Sequence, residues 1–124
     1  MDLFDKHIIN RSKRAIKCLS LSTEFYKDAE VSGLSASKVL QMKKKYISRN
    51  LFSFTNPEKI EACFLWLIKI GILRREVDGQ GLTSKVRLTP LGTFILKNEP
   101  DLANQKASAY ELIRNWILRN LFTS

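Results

Sequence analysis

The stretch IEACFLWLIKIGILRREVDGQGLTSKVRLTPLG, residues 60–92, changes its periodicity twice. Ile60, Phe64 and Leu67 recur at helical spacing with Cys63 on the same side, and Gly71 stops the run. Ile72 and Val77, then Val86 and Leu88, stand in alternating segments of the kind that form half-buried strands. Asp78-Gly79 and Gly81 supply turn chemistry between them, so DGQGLTS is expected to be the somewhat long tip of a hairpin. Thr89-Pro90 then opens a short helix, PLGTFILKN, that ends near Glu99-Pro100.

Working back from residue 60, Asn56 is a good N-cap, Pro57 suits the first helical position, and Glu58 favours the positive end of the helix dipole. The helix should run from Pro57 to about Ile70. A further short helix is expected from about Tyr46 to Phe52. Before it, Ser35 or Ser37 can cap SKVLQMKKKYI, whose apolar stripe is Val39, Met42 and Tyr46. Ser22 or Thr23 can cap a helix through Val31, with Gly33 expected to end it in the left-handed C′ position. Residues 3–19 allow an N-terminal helix with a broken stripe of Phe4, Ile8, Ala15, Ile16 and Leu19. Working forward, Asp101 can cap a long terminal helix. Tyr110, Ile113, Ile117 and Leu121 line one side of it, with Leu112, Trp116 and Leu118 broadening the apolar surface.

Helix, glycine, strand, Gly-containing turn, strand, then LTPLG resembles the winged helix-turn-helix superfamily, best over residues 46–98. The residues that carry the likeness are Ile60, Phe64, Leu67 and Gly71-Ile72, then Arg74-Arg75, the DGQG tip and VRLTPLG. Bacterial regulators of the MarR, PadR and ArsR type are similar in this ending and in having flanking helices that pair two subunits. The resemblance implies a mainly α fold with a small β-hairpin wing. It divides the chain into an N-terminal helical extension at 1–34, a winged-helix domain at 35–98, and a C-terminal helix at 99–124 that either pairs two subunits as a dimerisation element or folds back on its own domain. It also implies that helix 57–70 enters the major groove while the hairpin tip reaches phosphates.

Under that reading Asn56, Lys59 and the polar first turn would read bases. Arg74, Arg75, Gln80, Lys85 and Arg87 would be offered by the wing. From Ser35 to Pro57 there is no acid, and Lys43, Lys44, Lys45 and Arg49 would add phosphate contacts. A second reading places the helix-turn-helix earlier, in FYKDAEVSGLSASKVLQMKKKY, where Ser35, Ser37, Lys38, Gln41, Lys44 and Lys45 would form the DNA face. Helix geometry turns Leu65 and Trp66 to the outer half of helix 57–70. Two large apolar groups make a poor phosphate-facing surface, so they are read either as packing within the protein or, with Tyr110, Ile113, Trp116, Ile117 and Leu121, as a protein interface.

Composition fits these readings. The 124 residues hold 21 Lys and Arg against 12 Asp and Glu, a net charge of +9, which favours nucleic acid among partners. Cys18, Cys63 and the lone His7 lack the close ligand spacing of a zinc site, so no metal or other cofactor is expected. The cysteine usage suits a reducing, cytoplasmic setting. The longest apolar run, residues 62–68, is far short of the roughly 20 residues that cross a bilayer. The N-terminus has no apolar core of a secretory signal. No nucleophile motif, paired carboxylates or phosphate loop points to an enzyme. The sequence therefore leads to the expectation of a dimeric, sequence-specific binder of duplex DNA, a transcriptional regulator, with a winged-helix protein-interaction module as the alternative.

Overall fold

Each helix start among the first six but one carries a side chain that satisfies an otherwise orphaned N–H. The computed structural model describes residues 4–19, 21–47, 56–104 and 109–122. Asp5 accepts from the His7 N–H at 2.7 Å and opens α1 (Lys6–Cys18). Ser22 accepts from Phe25 N at 3.1 Å and opens α2 (Thr23–Val31). Ser35 accepts from Lys38 N and opens α3 (Ala36–Gln41). The short α4 (Lys43–Tyr46) has no such cap. Asn56 opens α5 (Pro57–Lys69) and Thr89 opens α6 (Pro90–Asn98), both with Pro in the first turn. Between them lie β1 (Leu73–Asp78) and β2 (Gly81–Leu88), and a 3-10 turn (Leu102–Asn104) precedes α7 (Ala109–Phe122). The fold is mainly helical with one two-stranded antiparallel hairpin.

Three expectations are corrected. The single helix expected at 37–47 breaks at Met42, whose backbone leaves the helical region (φ −113°, ψ 42°). Distant contacts account for the break. The Tyr46 hydroxyl donates to Asp28 at 2.8 Å, the Ser22 N–H and hydroxyl take the carbonyls of Tyr46 and Lys45, and Ile47 bridges Leu21. Gly33 does not end α2 in the left-handed region. Instead Ser32 leaves the helix extended, and the Arg87 guanidinium donates to the Glu30 and Val31 carbonyls, at 2.8 and 3.2 Å. Gly33 is there for space: a Cβ would lie 2.9 Å from Lys85 Cβ and from the Glu76 carboxyl carbon. Finally, Asp101 does not start the terminal helix, because a 3-10 turn follows it directly. The short helix expected from Tyr46 to Phe52 falls largely outside the described residues.

The hairpin is tighter than expected. Asp78 pairs with Gly81, leaving only Gly79-Gln80 at the tip. Leu82, Thr83 and Ser84, expected in the tip, belong to β2. Between the pairs Arg75–Val86 and Val77–Leu82, Thr83, Ser84 and Lys85 stand opposite Glu76 alone, a bulge held by the Thr83 hydroxyl on the Glu76 carbonyl at 2.9 Å. On its other edge β2 exchanges both hydrogen bonds with a single residue, Leu34, at 3.1 and 2.8 Å. The spatial order is thus Leu34, β2, β1. This bridge crosses the boundary expected at residue 34, and one buried core joins α1, α2, α3, α5, the hairpin and α6. Phe25 stacks on Phe64 at its centre, with ring centroids 5.6 Å apart. Gly71 turns α5 into β1 at φ +91°, a conformation costly for any residue with a Cβ.

Candidate nucleic-acid interface

Three elements converge beside the hairpin. The first turns of α3 and α5 and the β2 bulge frame a cleft of about 230 Å3, lined by Ser35, Ser37, Pro57, Glu58, Glu61 and Ser84. Capping explains why both helices begin here: Ser35 and Asn56 each spend a side-chain oxygen on an N–H of the first turn. The Asn56 side-chain oxygen is therefore spent on capping the start of α5. Lys59 follows it, exposed and without a side-chain partner. Beyond the first turn α5 presents Ala62 and Leu65, the latter 55% exposed.

The wing arginines separate. Cross-strand partners share a face of a hairpin, and successive residues alternate between faces. Arg75 turns to α5, where it pairs with Glu61 and donates to the Ser84 carbonyl at 3.0 Å. Arg74 and Arg87, paired in register, point to the other face. Arg87 is occupied by the end of α2, while Arg74 is exposed and borders a groove with Phe4, Glu30, Leu88 and Phe94. The structure does not bring these three arginines together. Gln80 is exposed at the tip, and Lys85 is exposed on the bulge with no side-chain partner.

The lysines of α4 also divide. Lys43 and Lys44 are exposed and make no ion pair among the described residues. Lys45 sits 3.0 Å from the Asp28 carboxylate and 5.3 Å from the centre of the Tyr46 ring. The hydrogen bonds from Tyr46 and Lys45 hold the Asp28 carboxyl below its ordinary value, while burial and Asp28 push the Tyr46 phenol up. Arg49 lies outside the described residues.

Trp66 corrects the helical-wheel placement. It is 4% exposed, and its indole N–H donates to Asn115 Oδ1 of α7 at 3.3 Å. It belongs to the seam between α5 and α7, not to an outer face. Two features of the way α7 docks, one against α5 and one against α1, carried no local signal in the sequence. Asn115 is buried, and the Cys18 thiol donates to the Glu111 carbonyl at 3.4 Å. Cys63 is buried against α7 as well, its thiol pushed up by burial, with Arg119 acting in the other direction. Tyr110, Ile113, Trp116 and Ile117 are exposed on the far side of α7, and the side chain of Leu121 is outside the described residues.

Among the described residues no three His, Cys, Asp or Glu side chains are grouped to hold a metal ion. No described helix is long and apolar enough to cross a membrane. Neither a search of curated proteins nor a search of solved structures returned a match. One protein family does match, over residues 3–119: the chain belongs to the Npun_F0494-like family.

Proposed function

We propose that the protein is a winged-helix binder of duplex DNA that acts as a transcriptional regulator. The observation that carries the reading is the order Leu34, β2, β1 together with the helix placed before it. A one-residue strand between α2 and α3 pairs with the second strand of a hairpin, and α5, the helix that leads into that hairpin, opens on a cleft shared with α3. In this arrangement α3 and α5 form the helix-turn-helix and the hairpin forms the wing. A reading helix needs its first turns open, and Lys59 and Ala62 are exposed on those of α5.

The charge supports the same reading. Lys38, Lys43, Lys44, Lys59 and Lys85 are exposed and hold no carboxylate, so they are available to phosphates. Glu61 beside the cleft is neutralised by Arg75, which lowers the repulsion a phosphate would meet there. The test is selection of genomic fragments by the purified protein at physiological salt, sequenced against input. Enrichment of a defined site supports the reading. Uniform recovery that vanishes as salt rises would reject sequence-specific recognition, because a +9 chain holds any DNA when counterions are scarce.

A protein-interaction module is the second reading, and Leu65 favours it. A leucine 55% exposed between Ala62 and Lys69 on α5 suits an apolar contact better than a phosphate backbone. Leu65→Lys separates the two: it should weaken a protein partner and leave DNA binding equal or stronger.

A further inference from the structure

Helix α7 is amphipathic in the wrong sense for a helix that ends its business on its own domain. The side it lays on the body combines the partly buried Leu118 with polar contacts: buried Asn115 on Trp66, Glu111 paired with Lys17, and the Glu111 carbonyl on Cys18. The side it turns away is apolar. Tyr110 is 67% exposed, Ile113 59%, Trp116 65%, Leu112 44% and Ile117 39%. With full side-chain areas of roughly 150–250 Å2, these exposures amount to on the order of 500 Å2 of apolar surface on one helix. That is the upper end of what a monomer leaves bare, and such patches mark interaction sites.

We infer that two copies of the chain pair through this face of α7, each helix covering the other. The inference does not rest on the DNA reading. Area is the first argument. A standard interface takes about 800 Å2 from each partner, and an apolar centre of on the order of 500 Å2 with a margin of Arg114 and Asn120 approaches it. Charge is the second. A chain of net +9 repels its copy over most of its surface, yet this face has no lysine. Arg114, its exposed cation, is turned along the helix onto the Tyr110 hydroxyl at 2.9 Å, and the half-buried Arg14 of α1 stands at its edge near Tyr110 and Glu111. An anionic membrane or an acidic partner would call for cations beside the apolar residues, whereas a second copy calls for a near-neutral surface.

Symmetry gives the geometry. A twofold pair is self-complementary, so a crossing centred between Ile113 and Trp116 sets each isoleucine against the other copy's indole. Run antiparallel, the two helix dipoles also oppose favourably.

The test is sedimentation velocity of the full chain over a dilution series, with Ile113→Glu and Trp116→Glu as variants. Both side chains are exposed, so circular dichroism should show an unchanged fold. The wild type should be a dimer that dissociates on dilution, and each variant should raise the dissociation constant by roughly thirtyfold or more, the loss ordinary for a central interface anchor. The emission of Trp116, isolated as the difference from Trp116→Phe, should move to longer wavelength as the dimer dissociates. A wild type that is monomeric throughout, or variants that dimerise as tightly as the wild type, would overturn the inference. So would wild type that sediments with phosphatidylglycerol vesicles while Trp116→Glu does not, since a membrane would then be the cover. A monomer that still selects a DNA site would sink the pairing alone. A dimer without site selection would sink the DNA reading alone.

Discussion

Lys43→Ala with Lys44→Ala puts the phosphate reading to a quantitative test. Both lysines are exposed on α4 and neither makes an ion pair, so the double variant removes two positive charges and no structural contact. Each phosphate neutralised steepens the fall of log K with log salt by about 0.9. If both lysines touch phosphates, the variant's slope should be shallower by about 1.8. Over a fourfold rise in salt the wild type should then lose about twelvefold more affinity than the variant. Fluorescence anisotropy on a random-sequence duplex at several salt concentrations measures this directly. Lys45→Ala is the informative contrast, because its amine is held by Asp28 and lies over Tyr46. It should alter the slope little and act on the α2–α4 contact instead. An unchanged slope for the double variant would refute the assignment of α4 to phosphates. So would a loss confined to one DNA sequence, since contacts to phosphate do not discriminate bases.

Further outcomes follow from the packing. Gly92→Ala should destabilise the protein despite the better helix propensity of alanine. The propensity gain is at most about 1 kcal/mol, whereas the new Cβ would sit 2.8 Å from the Ile72 carbonyl oxygen and 2.6 Å from Leu88 Cδ1, an overpacking worth about 1–3 kcal/mol. Urea unfolding reads the balance, and Gly79→Ala, where a Cβ meets nothing, should stay within about 0.5 kcal/mol of wild type. Asn115→Ala leaves the buried Trp66 N–H without its acceptor and should cost about 1–3 kcal/mol, while adding Trp66→Phe should cost less than the sum of the two single changes. A strictly additive double variant would deny the bond. Acid should weaken the α2–α4 contact through Asp28. Its carboxyl is held below the ordinary 3.8 by Tyr46 and Lys45, so its stabilisation is present above that pH and is lost as pH falls through the lower folded value. Asp28→Asn should therefore flatten the fall of the urea midpoint in that acid window, and an unchanged acid limb would dismiss the contact.

Much of the secondary structure was legible because its causes are local. Asn56-Pro57 and Thr89-Pro90 announce helix starts through one hydroxyl or amide and a fixed φ, and Gly71 announces the turn into β1. What the chain hid are outcomes decided across long separations. Nothing within residues 37–47 says that Met42 must break the helix; Asp28 and Ser22, far upstream, draw Tyr46 and its neighbours into place. A helical wheel gives Trp66 an angle but cannot supply Asn115, the partner that makes that side of α5 an interior one. For the candidate interface the positions of Lys43, Lys44, Lys59 and Lys85 could be read from spacing. That Glu61 and the end of α2 take up Arg75 and Arg87 could not, because both pairings need the hairpin placed first. The apolar side of α7 was visible in the sequence too, but only docking reveals that Tyr110, Ile113 and Trp116 are turned outward while Asn115 and Leu118 are turned inward.

The contacts that hold α7 have a chemical consequence. Both cysteines of the chain lie beneath this helix, Cys18 against the Glu111 carbonyl and Cys63 against Arg119, although they belong to different helices and are 45 residues apart in sequence. A seam of hydrogen bonds, one ion pair and the partly buried Leu118 is a local unit, and such units open at lower cost than global unfolding. Cys18 is already partly accessible, so a lifting of α7 changes most for Cys63, which is buried until then. The reactivity of Cys63 toward an alkylating reagent should therefore follow how often α7 lifts, and whatever covers α7 from outside should slow it.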